Sequence, residues 1–243
     1  MEHVRARPRG ARAKVCLLLA ALAALLTSRP VLAAAPQELV ETPDEPGVVF
    51  YPAEAEVPVG VTIVLHGMCG QPVNACRHFA AQVTRTSHLI CPRARQRCQG
   101  GGSSWPQVGF SQQIERAVLR ATQALATRVD ESRGRTLIGY SLGAFRALEL
   151  AERGAHPYAR VMLIGARIFP NQKRLRESGV ERLLLCAGDW DLMHGHMQSQ
   201  SRRLARAGLP IRFLGLGPVG HAFTPSFQEY LPQALEWLRG ADL

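Results

Sequence analysis

The chain has 243 residues, 47% of them apolar and 20% charged, which suits one globular domain with a sizeable core and excludes a disordered or fibrous polypeptide. A formal charge of +10 suggests a nucleic-acid partner, but six of the 29 basic residues and one of the 19 acidic lie in residues 1–33. The remainder holds 23 against 18, a net of +5 with no nucleic-acid-binding motif, so none is expected as a partner.

Residues 1–33 read as a secretory signal peptide. Arg5, Arg7, Arg9, Arg12 and Lys14 precede an apolar run over 15–26, and Val31-Leu32-Ala33 offers small residues for cleavage. The run is short for a membrane span, so the protein is expected to be exported, periplasmic or extracellular, without a stable membrane anchor. Residues 34–58, rich in Pro and Glu, predict an extended segment with an edge strand at Val48-Val49-Phe50-Tyr51. The main folded domain is expected over 59–243.

That domain opens with an apolar strand over 59–65 that runs into His66-Gly67-Met68-Cys69-Gly70. A helical pattern over 74–85 and a strand over 88–92 follow. Cys98-Gln99-Gly100-Gly101-Gly102-Ser103-Ser104-Trp105 lacks the Lys-Ser/Thr of a phosphate loop. It reads as a flexible rim loop, with Trp105 near a substrate or simply packed. The stripe Ile114, Val118, Ala121, Leu125, Val129 predicts a helix over 111–129.

The next strand, Thr136-Leu137-Ile138-Gly139-Tyr140, meets Gly139-Tyr140-Ser141-Leu142-Gly143 and then a helical pattern. A strand turning sharply into a helix crowds its turn residue, so two flanking glycines leave room and hold the Ser141 hydroxyl clear of the backbone. Strands are expected over 159–165, 182–185 and 211–216, and a closing helix over 225–239 despite Pro232. Alternating strands and helices argue for a mainly parallel α/β sheet covered on both faces. The short interval between the 159–165 and 182–185 strands leaves no room for a cap domain.

Two further loops carry chemistry. Gly188-Asp189-Trp190-Asp191 places carboxylates just past a strand end, and Gly220-His221-Ala222-Phe223 places a histidine after the following strand. A serine hydroxyl is a poor nucleophile unless an imidazole takes its proton, and the imidazole needs a carboxylate to fix its tautomer. His194 and His196 follow the carboxylates on a helical pattern and read as surface or rim residues.

Taken together, His66-Gly67, Gly139-x-Ser141-x-Gly143, Gly188-x-x-Asp191 and Gly220-His221 resemble the α/β-hydrolase superfamily, in particular its compact carboxylesterase and dienelactone-hydrolase-like members. The resemblance covers residues 59–239. It implies a single-domain fold and a Ser141, Asp191, His221 triad, with Asp191 preferred to Asp189 on spacing. The N–H groups of Met68 and Leu142 would form the oxyanion hole. His66, Trp105 and Tyr140 are candidate substrate contacts. The expected substrate is a small-molecule carboxylic ester, with no cofactor and no metal. A peptidase, an acyltransferase using the same triad, and a non-catalytic binding protein of this fold are the alternatives.

Five cysteines lie beyond residue 33. Cys186 ends the apolar run 183–185 and reads as a buried thiol, which leaves Cys69, Cys76, Cys91 and Cys98 for two bridges. Each sequence-local pair is seven positions apart, and local closure rearranges the chain least. The spacing therefore predicts Cys69–Cys76 and Cys91–Cys98.

Overall fold

Residues of the buried strands alternate between two helical layers, and this alternation builds the core of the computed structural model, which describes residues 35–154 and 158–240. The expected signal peptide lies outside the described residues, all of which fall in one compact unit, Ala33–Leu243. Ten strands are described: β1 (Gln37–Leu39), β2 (Val48–Tyr51), β3 (Val61–Leu65), β4 (His88–Pro92), β5 (Gln96–Arg97), β6 (Ser103–Ser104), β7 (Thr136–Tyr140), β8 (Arg160–Ile164), β9 (Arg182–Ala187) and β10 (Ile211–Gly215). The α-helices are α1 (Pro72–Val83), α2 (Phe110–Leu125), α3 (Leu142–Arg153), α4 (Gln172–Glu177), α5 (His194–Arg206) and α6 (Phe227–Leu238).

Eight strands form one sheet in the order β1-β2-β4-β3-β7-β8-β9-β10. β1 and β2 run antiparallel to their neighbours, and the ladders from β4 to β10 are parallel. Val48–Tyr51 is therefore not the edge strand. The short β1 covers it, which explains why all four of its residues are buried. On one face Ile63, Leu65, Leu137, Leu163 and Leu185 pack under α2, α3 and α5. On the other, Val64, Ile138, Met162, Leu184 and Cys186 pack under α1 and α6. Strand residues point alternately to the two faces, so adjacent apolar positions such as Leu184 and Leu185 fill different layers.

α1 begins at Pro72, two residues before the sequence pattern suggested, because proline's fixed φ suits the first helical position. α6 accommodates Pro232 in its interior. Between β8 and β9 the chain makes only the short α4, so no cap domain intervenes.

The order of β4, β3 and β7 sets the location of the site. From β3 the chain crosses by α1 on one face to β4, then returns by α2 on the other face to β7, on the far side of β3. Strands whose crossovers leave in opposite directions part at their C-terminal ends and open a crevice there. Register pairs Leu65 with Gly139, which puts the His66-Gly67-Met68 turn beside Ser141.

The disulfides join the cysteines differently from the local expectation: Cys69–Cys98 and Cys76–Cys91. Cys76 lies on the face of α1 turned to the sheet, above β4, where Cys91 points to the same layer. Cys69 and Cys98 meet because the segment after β4 folds back. β5 and β6 pair as a small hairpin, and Ser103 N–H donates to the Gly70 carbonyl at 2.9 Å. The stretch read as a flexible rim loop is thus a hairpin anchored to the β3 turn. Gly102, at φ +70°, allows this approach, since a Cβ there would stand 2.1 Å from the Cys69 carbonyl oxygen. Cys186 is a fully buried free thiol, and burial pushes its pKa up.

Candidate active site

Ser141 occupies the turn between β7 and α3 with φ 53° and ψ −119°, a conformation costly for a residue with a Cβ. Its neighbours make the turn possible. A Cβ on Gly139 would lie 2.4 Å from the Gly143 carbonyl oxygen, and one on Gly143 would lie 2.2 Å from that of Leu65. The turn is held by Ser141 N–H donating to the Ile164 carbonyl at 2.9 Å.

Asp191 and His221 arrive from the ends of β9 and β10. The loop after β10 lies against the loop after β9, where Trp190 N–H donates to the Val219 carbonyl at 3.1 Å. This brings His221 back over the sheet toward Ser141. His221 Nδ1 donates to Asp191 Oδ2 at 2.8 Å, and Nε2 accepts from Ser141 Oγ at 3.0 Å. The Asp191 side chain is only 4% exposed, and its other oxygen accepts the Met193 N–H at 2.9 Å. With both carboxylate oxygens occupied, Asp191 holds the imidazole with its free nitrogen toward the serine. Asp189 points elsewhere, 3.7 Å from His194 Nδ1.

Around Ser141 the remaining features follow from the strand ends. Gly67 abuts it: a Cβ there would lie 3.3 Å from Ser141 Cβ. Leu142 stands first in α3, where helical N–H groups have no intrahelical acceptor. Two clefts open at this edge. One, of about 500 Å³, is lined by Ser141, Gly165, Asp191 and His221 together with Phe145 and Trp190. The other, of about 290 Å³, lies between Met68, the Gly100–Gly102 turn, Tyr140 and Phe223. Among the described residues, no group of three or more His, Cys, Asp or Glu is placed to hold a metal ion. None of the helices there is long and apolar enough to cross a membrane.

No protein-family model matches the sequence, and no curated protein matches it. Solved structures do. The substrate-bound fluorophosphonate-binding serine hydrolase F of Staphylococcus aureus superposes with a TM-score of 0.65 at 14% identity, over 86% of this chain and 100% of that one. A ferulic acid esterase gives 0.66 at 16% identity, over 84% and 97%. An esterase of Pyrobaculum calidifontis gives 0.61 at 12% identity, over 97% and 95%. The chain has an α/β-hydrolase fold.

Within this α/β-hydrolase fold, two of the three expected substrate contacts, His66 and Trp105, are buried, and the third, Tyr140, lines the smaller cleft. His66 is 3% exposed; its Nδ1–H donates to the Gly67 carbonyl at 2.8 Å, and its Nε2 accepts the Ala94 N–H at 3.3 Å. Burial, reinforced by the Arg93 charge and opposed by the Gly67 bond, pushes its pKa down to about 4, so the ring is neutral. Trp105 is 2% exposed, and its indole N–H donates to the His66 carbonyl at 2.8 Å. Both residues brace the β3 turn from beneath. Tyr140 is half-buried; its hydroxyl donates to the His221 carbonyl at 2.9 Å, and its ring stacks on the imidazole with centroids 5.1 Å apart. Burial and the Asp191 charge push its pKa up to about 12, keeping that proton in place.

Gly165 escaped the sequence reading. At φ +60° it ends β8 directly beneath the pair, and a Cβ there would lie 3.0 Å from both Asp191 Oδ2 and His221 Cε1. A glycine closing an apolar strand is a common signal, so nothing local marked it. Phe145 of α3 and Trp190 of the loop after β9 also line the larger cleft.

Proposed function

We propose that this protein is an exported serine hydrolase that cleaves a carboxylic ester through an acyl-enzyme. The observation that carries the reading is the continuous hydrogen-bonded relay Asp191–His221–Ser141, which begins on a buried carboxylate and ends on a hydroxyl in a strained turn. Ser141 Oγ attacks the ester carbonyl carbon while its proton passes to His221 Nε2. Asp191 stabilises the imidazolium that results. The N–H groups of Met68 and Leu142 receive the oxyanion, in a site where donors fixed in advance cost no reorganisation. Collapse expels the alkoxide, which takes the proton from His221. Water, activated by the same nitrogen, then releases the acid and frees Ser141. Ester chemistry in particular is supported by the esterases among the similar folds. Export is supported by the basic and apolar pattern of residues 1–33 and by two disulfides, which persist in oxidising compartments.

The test is activity-based labelling with a fluorophosphonate, followed by a panel of p-nitrophenyl esters. Wild-type protein should label and turn over. Ser141→Ala should do neither, with kcat lower by a factor on the order of 10⁶ while the fold persists. Labelling of a folded Ser141→Ala protein would overturn the assignment.

A further inference from the structure

The larger cleft beside Ser141 combines a cation with an apolar surface. Three ionisable residues line it, and two of them, Asp191 and His221, are hydrogen-bonded to each other. The third is Arg167. Its backbone is fixed by buried neighbours: Ala166 and Ile168 are 2% and 1% exposed, and Ile168 N–H donates to the Ala166 carbonyl at 3.0 Å. Between these two buried neighbours, Arg167 is exposed. Among the described residues, no hydrogen bond or ion pair engages its guanidinium. Arg203, by contrast, is tied to the same segment: its guanidinium donates to the Pro170 carbonyl at 2.8 Å.

The same cleft is lined by large apolar side chains that water reaches. Trp190 is 73% exposed, Leu192 92% and Phe145 39%. Singly exposed apolar residues need no explanation, but several gathered around one reactive hydroxyl form a binding surface. An indole supplies a broad apolar face at little conformational cost, and a guanidinium matches a carboxylate with two parallel hydrogen bonds.

We infer that the ester accepted here has an apolar arm bearing a carboxylate, with the arm on Phe145, Trp190 and Leu192 and the carboxylate paired with Arg167. The inference rests on the serine-hydrolase reading above and narrows it to a substrate class. Hydrolysis itself is unchanged, since water and ester give acid and alcohol wherever the extra charge sits.

The experiment compares kcat/KM for two matched pairs of esters. Mono-p-nitrophenyl glutarate and its methyl ester place the charge, or its neutral counterpart, on the acyl side. 4-Acetoxybenzoate and its methyl ester place it on the alcohol side. In one pair, Arg167→Gln should lower the anionic-to-neutral ratio of kcat/KM about fivefold, the size of an ion pair at a water-exposed rim. The loss should appear in KM, Arg167→Lys should retain part of the ratio, and raising the salt should shrink the wild-type preference. An unchanged ratio in both pairs overturns the inference. If neutral esters are still hydrolysed in a Ser141-dependent manner, only the substrate class fails. If no ester is hydrolysed and fluorophosphonate leaves Ser141 unlabelled, the underlying reading fails with it.

Discussion

Adding a single methyl group at Gly165 should misalign the relay without replacing any of its members. The Cβ of Gly165→Ala would meet Asp191 Oδ2 and His221 Cε1 at 3.0 Å and His221 Nδ1 at 3.1 Å. Carbon atoms settle near 3.5–4.0 Å, so the imidazole and carboxylate must shift by about 0.5 Å. Misplacement by about 1 Å can cost on the order of 10²-fold, so half that shift should lower kcat about tenfold. The substitution also strains the backbone, because φ at 165 is +60°. A left-handed alanine costs about 1–2 kcal/mol, which lowers Tm by roughly 2–8 °C in a domain of this size. Gly154→Ala separates the two effects. Gly154 ends α3 at φ +66°, at the opposite end of the helix from Ser141, and among the described residues its Cβ would meet Ser178. It should lose similar stability and keep its kcat. The assay is kcat on p-nitrophenyl acetate alongside thermal melting of both variants. Wild-type kcat in Gly165→Ala, or an equal loss in Gly154→Ala, would refute the reasoning.

Asp191→Asn should lower kcat by a factor on the order of 10⁴, whereas Asp189→Asn should change it little; steady-state kinetics that rank them the other way would move the acid to Asp189. Tyr140→Phe removes the donor to the His221 carbonyl, so stability should fall by about 1 kcal/mol in urea unfolding and kcat should fall with it. Non-reducing peptide mapping should recover Cys69–Cys98 and Cys76–Cys91, not the sequence-local pairs. With separations of 29 and 15 residues, their removal should cost about 3.6 and about 3 kcal/mol in the chain-entropy model, measured by unfolding of the Cys→Ala pairs. Finally, the His66 pKa falls from 6.5 to about 4 on folding, so the unfolded chain binds the extra proton between those values. The associated stability is complete above pH 6.5 and is lost as pH falls toward 4, about 3 kcal/mol in all. Urea unfolding of wild type and His66→Gln across that window should show a shallower slope in the variant.

Local signals carried much of this protein. The apolar runs of β3, β4, β7, β8 and β9, the helical stripe of α2 and the two glycines around Ser141 each act within a few residues, so their consequences are legible in the chain itself. The same holds for the order in which a serine, a carboxylate and a histidine follow the ends of β7, β9 and β10. What the chain could not reveal depends on which segments meet in space. Minimal chain rearrangement argued for local disulfides, but α1 lies over β4 and the β5–β6 hairpin folds back on the β3 turn, so partners 15 and 29 residues apart are closer than those seven apart. Position next to a reactive turn suggested ligand contact for His66 and Trp105, yet strand and loop direction bury both beneath it. Gly165, Arg167 and Trp190 reach the site from the ends of β8 and β9, and no short pattern marks them. Their importance comes from parallel strand ends converging at one edge, a long-range property that sequence neighbours do not share.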